Sequence, residues 1–148
     1  MPHPLIPAAA LAVFALALPA AADTLVTRTV EGSFDEIAFA VENAILEKGL
    51  VIDSVSHVGD MLERTKADVG ATATIFTKAD VFQFCSATVS RKVMEADPMN
   101  IAFCPYGIYV YELPETPGQI GVAHREYPEG PMQEVQALLA DIVETALK

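Results

Sequence analysis

The chain's most reactive side chains are two cysteines, Cys85 and Cys104, and both fall in the stretch 82–111, FQFCSATVSRKVMEADPMNIAFCPYGIYVY. Each follows a phenylalanine, and the same stretch carries three of the four tyrosines, Tyr106, Tyr109 and Tyr111. The pair admits three states: a structural disulfide, thiols engaged in redox or ligand chemistry, or two unbonded core cysteines. Outside the cytoplasm an even cysteine count makes one disulfide the default. Eighteen residues lie between the two, which excludes a thioredoxin-type site with its two-residue spacing. Cys85 is expected to end a strand directly before a helix, where the partial positive charge of the helix N-terminus stabilises a thiolate.

A metal is the second chemistry to weigh. After residue 22 the only histidines are His57 and His124, so a Cys₂His₂ set would need Cys85, Cys104, His57 and His124 together. No two of them have finger-like spacing, and each sits on a different expected element. Met94 and Met99 flank the intervening loop and could join the cysteines as soft ligands for Cu(I). The plainer role for both methionines is core or loop filling, and for both histidines a place in a strand. No cofactor is implied.

A ligand groove is the third. Phe82, Phe84, Tyr106, Tyr109 and Tyr111 are candidates to line one; the alternative is a face that helices cover. Enzyme signatures are otherwise missing. Ser54, Ser56, Ser86 and Ser90 lack the glycines of a nucleophile elbow. No glycine-rich phosphate loop is present, and Glu126 and Glu129 fit a solvated loop.

Charge narrows the partners. Nine basic and twenty acidic residues give a net charge of −11, and all of them follow residue 22. No basic face exists beyond Arg91-Lys92, which argues against nucleic acid and against an anionic membrane surface. Residues 8–18 form an apolar run, and Ala20-Ala21-Ala22 supplies small residues for a signal peptidase. The expectation is a signal peptide over 1–22, cleavage before Asp23, and a periplasmic or secreted domain over 23–148. Pro7 and Pro19 interrupt the run, which argues against a retained membrane anchor.

The elements that must position these residues follow from pattern. Residues 24–30 alternate as a first strand. Ser33 opens a capping box with Glu36, and Phe34, Ile37, Ala38, Val41 and Ile45 set a helix over 33–48, stopped by Gly49. A strand is expected over 50–58, then a short helix capped by Asp60 and ended by Gly70. Residues 71–76 and 81–85 are strand-like, with a turn at 77–80 making a hairpin or one bent strand. A helix over 86–96, burying Val89 and Val93, stops at Asp97-Pro98. Residues 106–113 and 120–125 form a hairpin about the turn 114–118. Gly130-Pro131 starts a last helix with a stripe of Val135, Leu138, Leu139, Ile142 and Ala146. Helix 86–96 retreats about 16 Å at ~1.5 Å per residue. The seven residues 97–103 can span about 23 Å, so Cys104 can return beside Cys85. The order is α+β: a two-layer domain with a curved, mostly antiparallel sheet and helices mainly on one face.

Phe-Cys-Ser at 84–86, Met-x-Ala-Asp-Pro at 94–98, Ile-Ala-Phe-Cys-Pro at 101–105 and a hydrophobic strand ending in Tyr-Glu at 111–112 resemble the domain-of-unknown-function family numbered 302. The helix over 33–48, ending in Lys-Gly-Leu, is similar to that family's opening helix. The resemblance implies a two-layer arrangement like that of TATA-binding protein. It implies no reaction and no catalytic residues.

Two functional expectations follow. The first is an exported binding or accessory domain, acting without catalysis on a small molecule or protein, a second copy of the chain included. The alternative is a thiol-based redox or metal-handling protein using Cys85 and Cys104.

Overall fold

The structure is a computed structural model that describes residues 24–148, so the expected leader and its cleavage site lie outside the described residues. Five strands, β1 (Leu25–Glu31), β2 (Val51–His57), β3 (Lys78–Cys85), β4 (Tyr106–Glu112) and β5 (Gln119–Arg125), form one open sheet. Their order is β1-β5-β4-β3-β2, and every neighbouring pair is antiparallel. Four α-helices accompany them: α1 (Phe34–Glu47), α2 (Val58–Thr65), α3 (Ala87–Ala96) and α4 (Gln133–Ala146), with a 3₁₀ turn at Pro98–Phe103. This is the expected α+β class. Among the described residues no helix is long and apolar enough to cross a membrane.

Strand alternation decides which face is covered. Side chains paired across strands share a face, and Phe82 pairs with Ile108, Phe84 with Tyr106, and Val110 with Val122. All six are buried in one cluster with Phe34, Val41 and Ile45 of α1, Val93 of α3, and Val135, Leu139 and Ile142 of α4. The three longer α-helices therefore pack on this one face. Burying a side chain the size of Phe84 completely makes its truncation to alanine worth about 3–5 kcal/mol.

Local chemistry explains the ends of these helices. Ser33 Oγ accepts from the Glu36 N–H, so Ser33 caps α1 as expected. The Glu36 carboxylate accepts from the Ser33 hydroxyl at 2.8 Å rather than from the Ser33 N–H, so the reciprocal half of the box does not form. Gly49 takes φ +72°, the left-handed turn that releases the chain from α1 into β2. Ser86 accepts from the Val89 N–H to cap α3, and Asp97 accepts from the Met99 N–H to open the 3₁₀ turn.

Five expectations about elements and their bounds are corrected. Helix α2 begins at Val58 rather than after Asp60, because β2 ends where His57 pairs with Asp80 and the backbone turns there directly. Its last residue is Thr65; Gly70 ends the turns that follow. Residues 71–76 form no strand, and the expected turn at 77–80 is instead the start of β3. Lys78, Ala79 and Asp80 pair with Glu112, Tyr111 and Val110, a neighbouring strand that local polarity does not reveal. Helix α4 begins at Gln133, and Pro131 sits in the turn before it, where its carbonyl accepts from the Glu134 N–H.

Candidate functional site

The same alternation sends Ala79, Val81, Gln83 and Cys85 of β3, Gly107, Tyr109 and Tyr111 of β4, and Gly121, Ala123 and Arg125 of β5 to the other face. The three longer helices leave this face open. Its tyrosines lie over small residues. A β-carbon at Gly121, opposite Tyr111, would fall 2.3 Å from the Tyr111 ring. Tyr109 leans over Gly107, whose β-carbon would lie 3.4 Å from the Tyr109 hydroxyl. Ala123, opposite Tyr109, is fully buried although no core helix covers it. Two glycines and an alanine thus let the aromatic rings settle onto the sheet as a platform.

A trough runs over this platform with a wall at each end. At one end α2 and the loop before β3 contribute Val58 and Phe76, and Phe76 meets Tyr111 edge-on at 6.0 Å. With Leu25, Val81 and Tyr109 they line a pocket of about 310 Å³ whose exposed surface is apolar. At the other end Phe103, Cys104 and Pro105 close a pocket of about 250 Å³ that also takes in Gln83, Arg125 and Tyr127. Tyr109 and Val81 line both.

The disulfide builds the second wall. Cys85 and Cys104 are bonded, with their α-carbons 6.5 Å apart, inside the range such a link requires. Cys85 projects from the open face, so the bond draws the end of the 3₁₀ turn onto that face. The peptide between Cys104 and Pro105 is cis. As a disulfide, neither sulfur carries a proton, so the expected thiolate at the start of α3 does not arise.

Tyr127 joins this wall to the core. Its ring packs against Phe103 at 5.8 Å and meets Tyr106 edge-on at 6.2 Å. Its backbone is held by α4: the Tyr127 N–H donates to Gln136 Oε1, and Gln133 Nε2 donates to the Tyr127 carbonyl. Burial raises the Tyr127 pKa well above the usual phenol range; Tyr109 and Tyr106 add to the rise and Arg125 opposes it. The phenol stays neutral at ordinary pH.

The sequence candidates part ways at the sheet. Tyr109 and Tyr111 line the open trough. Phe82, Phe84 and Tyr106 do not share a groove with them, because their positions in the alternation put them under the helices. Tyr106 also spends its hydroxyl on Ser90 Oγ at 2.9 Å. The tetrad Cys85, Cys104, His57 and His124 is not assembled. The sulfurs are bonded to each other, and β2 and β5, which carry the histidines, stand three strand spacings apart, about 14 Å. His57 Nδ1 lies 2.7 Å from Asp80 Oδ1, while His124 is buried against α4 with Nδ1–H donating to the Arg125 carbonyl. Burial lowers the His124 pKa, and the carbonyl partly offsets that. Met94 packs against the core and Met99 is exposed. Among the described residues no group of three or more His, Cys, Asp or Glu side chains could hold a metal ion.

Outside the stretch 82–111, the contributors that escaped the sequence include Leu25, Val58, Phe76, Val81, Arg125 and Tyr127. Arg125 had a usable signal, since Gly121, Ala123 and Arg125 alternate in phase with the strand that bears Tyr109. Phe76 had none, because its loop resembles a strand.

Comparison with known proteins adds the lineage. A family model described as "Domain of unknown function DUF302" matches residues 26–145. A crystal structure of an uncharacterized conserved DUF302 protein from Bacillus stearothermophilus is similar, with a TM-score of 0.59 and 16% identity. That likeness covers 82% of this chain and 91% of the other, and it is a likeness of fold. No curated protein matches.

Proposed function

The chain belongs to the DUF302 family of domains of unknown function, and from that premise we propose that it is an exported binding domain that takes a small molecule on the open sheet face, without catalysis. One observation carries the reading: the central strands β3, β4 and β5 leave a walled aromatic trough where a purely structural sheet would be flat and polar, or covered. Export is supported by the leader-like residues 1–22 and by the disulfide, which persists in an oxidising compartment such as the periplasm or the extracellular space. A thermal-shift screen of small amphiphiles and aromatic compounds tests the reading, run on the wild type and on Tyr109→Ala. Ligand-dependent stabilisation that Tyr109→Ala removes is the expected result. Stabilisation unchanged by that substitution, or none across the screen, counts against it.

A second reading has one observation in its favour: Cys104 lines the trough and the disulfide is half-buried, within reach of a bound thiol. Under it the pair would exchange with a dithiol substrate, reducing Cys85–Cys104 while the substrate is oxidised to its disulfide. Paired Cys85→Ser and Cys104→Ser substitutions separate the two. Ligand binding that persists, though weakened, in a folded double variant leaves the thiols without a chemical role, whereas oxidation of one equivalent of dithiol by the wild-type bond supports exchange.

A further inference from the structure

The two ends of the trough differ in kind, and the difference specifies an occupant. The end at Val58, Phe76 and Tyr111 offers only apolar surface. The opposite end holds a guanidinium, Arg125, beside Gln83 and the tyrosines Tyr109 and Tyr127. Arg125 stands out against the charge of the chain, which has twenty acidic residues to nine basic ones. Arg28, Lys48, Lys66, Lys78, Arg91 and Lys92 each pair with a carboxylate. Arg64, Lys148 and Arg125 have no carboxylate within ion-pair distance among the described residues, and of these three Arg125 alone is half-buried while the other two are exposed. Arg125 is also the only charged side chain that β3, β4 and β5 direct to this face.

We infer that the trough binds an amphipathic carboxylate, its anionic head on Arg125 and its apolar tail over Tyr109 and Tyr111 toward Phe76 and Val58. This rests on the open face being the binding site. A guanidinium offers a planar fork of N–H donors that suits a carboxylate, and a half-desolvated one left unpaired in an acidic protein has most to gain from an anion. The Gln83 amide and the Tyr109 hydroxyl supply further donors beside it. From Gly107 to Tyr111 the platform runs about 14 Å at ~3.4 Å per residue, room for an extended alkyl or aryl tail. Net charge of −11 on the whole molecule disfavours anions held only by long-range attraction, so selection must come from Arg125 itself.

Three probes of matched tail, decanoate, decanol and decyltrimethylammonium, test the assignment by calorimetric titration of the purified protein below their micelle-forming concentrations. Decanoate is expected to bind tightest, with Arg125→Gln weakening it about tenfold or more and Arg125→Lys recovering part of the loss. Decanol binding is expected to be unchanged by Arg125→Gln. Amide shifts in the wild type, which need no variant, are expected at Gln83, Gly107, Tyr109 and Arg125 for decanoate. Equal binding of decanoate and decanol, both perturbing Tyr109 and Tyr111, overturns the anion assignment and leaves the face as a binding face. Preferential binding of the ammonium probe overturns it too. Shifts confined to other elements, or no binding by any probe, overturn both claims.

Discussion

Tyr111 lies with its ring across Gly121, the residue that faces it on the neighbouring strand, so closely that a β-carbon there would sit 2.3 Å from the ring. The glycine is what lets the ring lie down, and the ring in turn shelters a backbone that has no side chain of its own. This local exchange makes the open face an aromatic floor rather than a row of upright side chains. Gly121→Ala must expel the Tyr111 ring, and overpacking of this kind costs about 1–3 kcal/mol. Urea denaturation reads the loss, and ligand binding at the apolar end should weaken with it.

The Cys85–Cys104 bond closes a loop over α3 and the 3₁₀ turn. In the chain-entropy model, removing a cross-link over a loop of this size costs roughly 3 kcal/mol. The Cys85→Ala/Cys104→Ala double variant should show that drop in urea denaturation. Because the bond holds the wall at Phe103 to Pro105, the double variant should also bind decanoate more weakly at equal occupancy of the folded state.

Acid should act through His124. Burial lowers its folded-state pKa below the unfolded value of about 6.5, so the unfolded chain takes up the proton first. The contribution is whole above that value and is lost as pH falls through the window below it. A urea midpoint that declines in this window, and a decline flattened by His124→Asn, is the expected pair of results. The asparagine keeps a donor for the Arg125 carbonyl without the titrating ring.

Tyr127 should act at the alkaline end. Its pKa is raised by burial, so the folded state holds the phenolic proton after the unfolded chain has lost it near pH ~10. Stability from this group is complete below that pH and lost as pH rises beyond it. Tyrosinate absorbance should show one residue ionising only as the protein unfolds, and Tyr127→Phe should remove that late step while keeping the ring contacts with Phe103 and Tyr106.

What the sequence made legible was local. The Ser33 cap, the stripe of α1 and the alternation of Tyr106 to Tyr111 depend on neighbours within one or two turns, and each forms as the pattern predicts. What stayed hidden depended on distant partners. Lys78 to Asp80 look like a turn because Lys78 and Asp80 are charged, yet a strand thirty or more positions away in the sequence pairs with them. Five aromatics looked like one groove, and only the position of the helices divides them into a core set and a trough set. The cysteines could be brought together by chain length alone, but the use of their bond, as a wall beside Arg125, needed the sheet register.

Where a ligand touches the protein decides whether the open sheet face is the binding site. Backbone amide shifts recorded while decanoate is titrated into uniformly labelled protein measure this in one experiment. The predicted result is a contiguous set along the open face, at Val81, Gln83, Gly107, Tyr109, Tyr111 and Arg125, with residues 38–42 of α1 unmoved. Shifts gathered instead around Ala38, Phe39 and Glu42, where another cavity of about 290 Å³ opens beside α1, would place binding on the opposite face and contradict it.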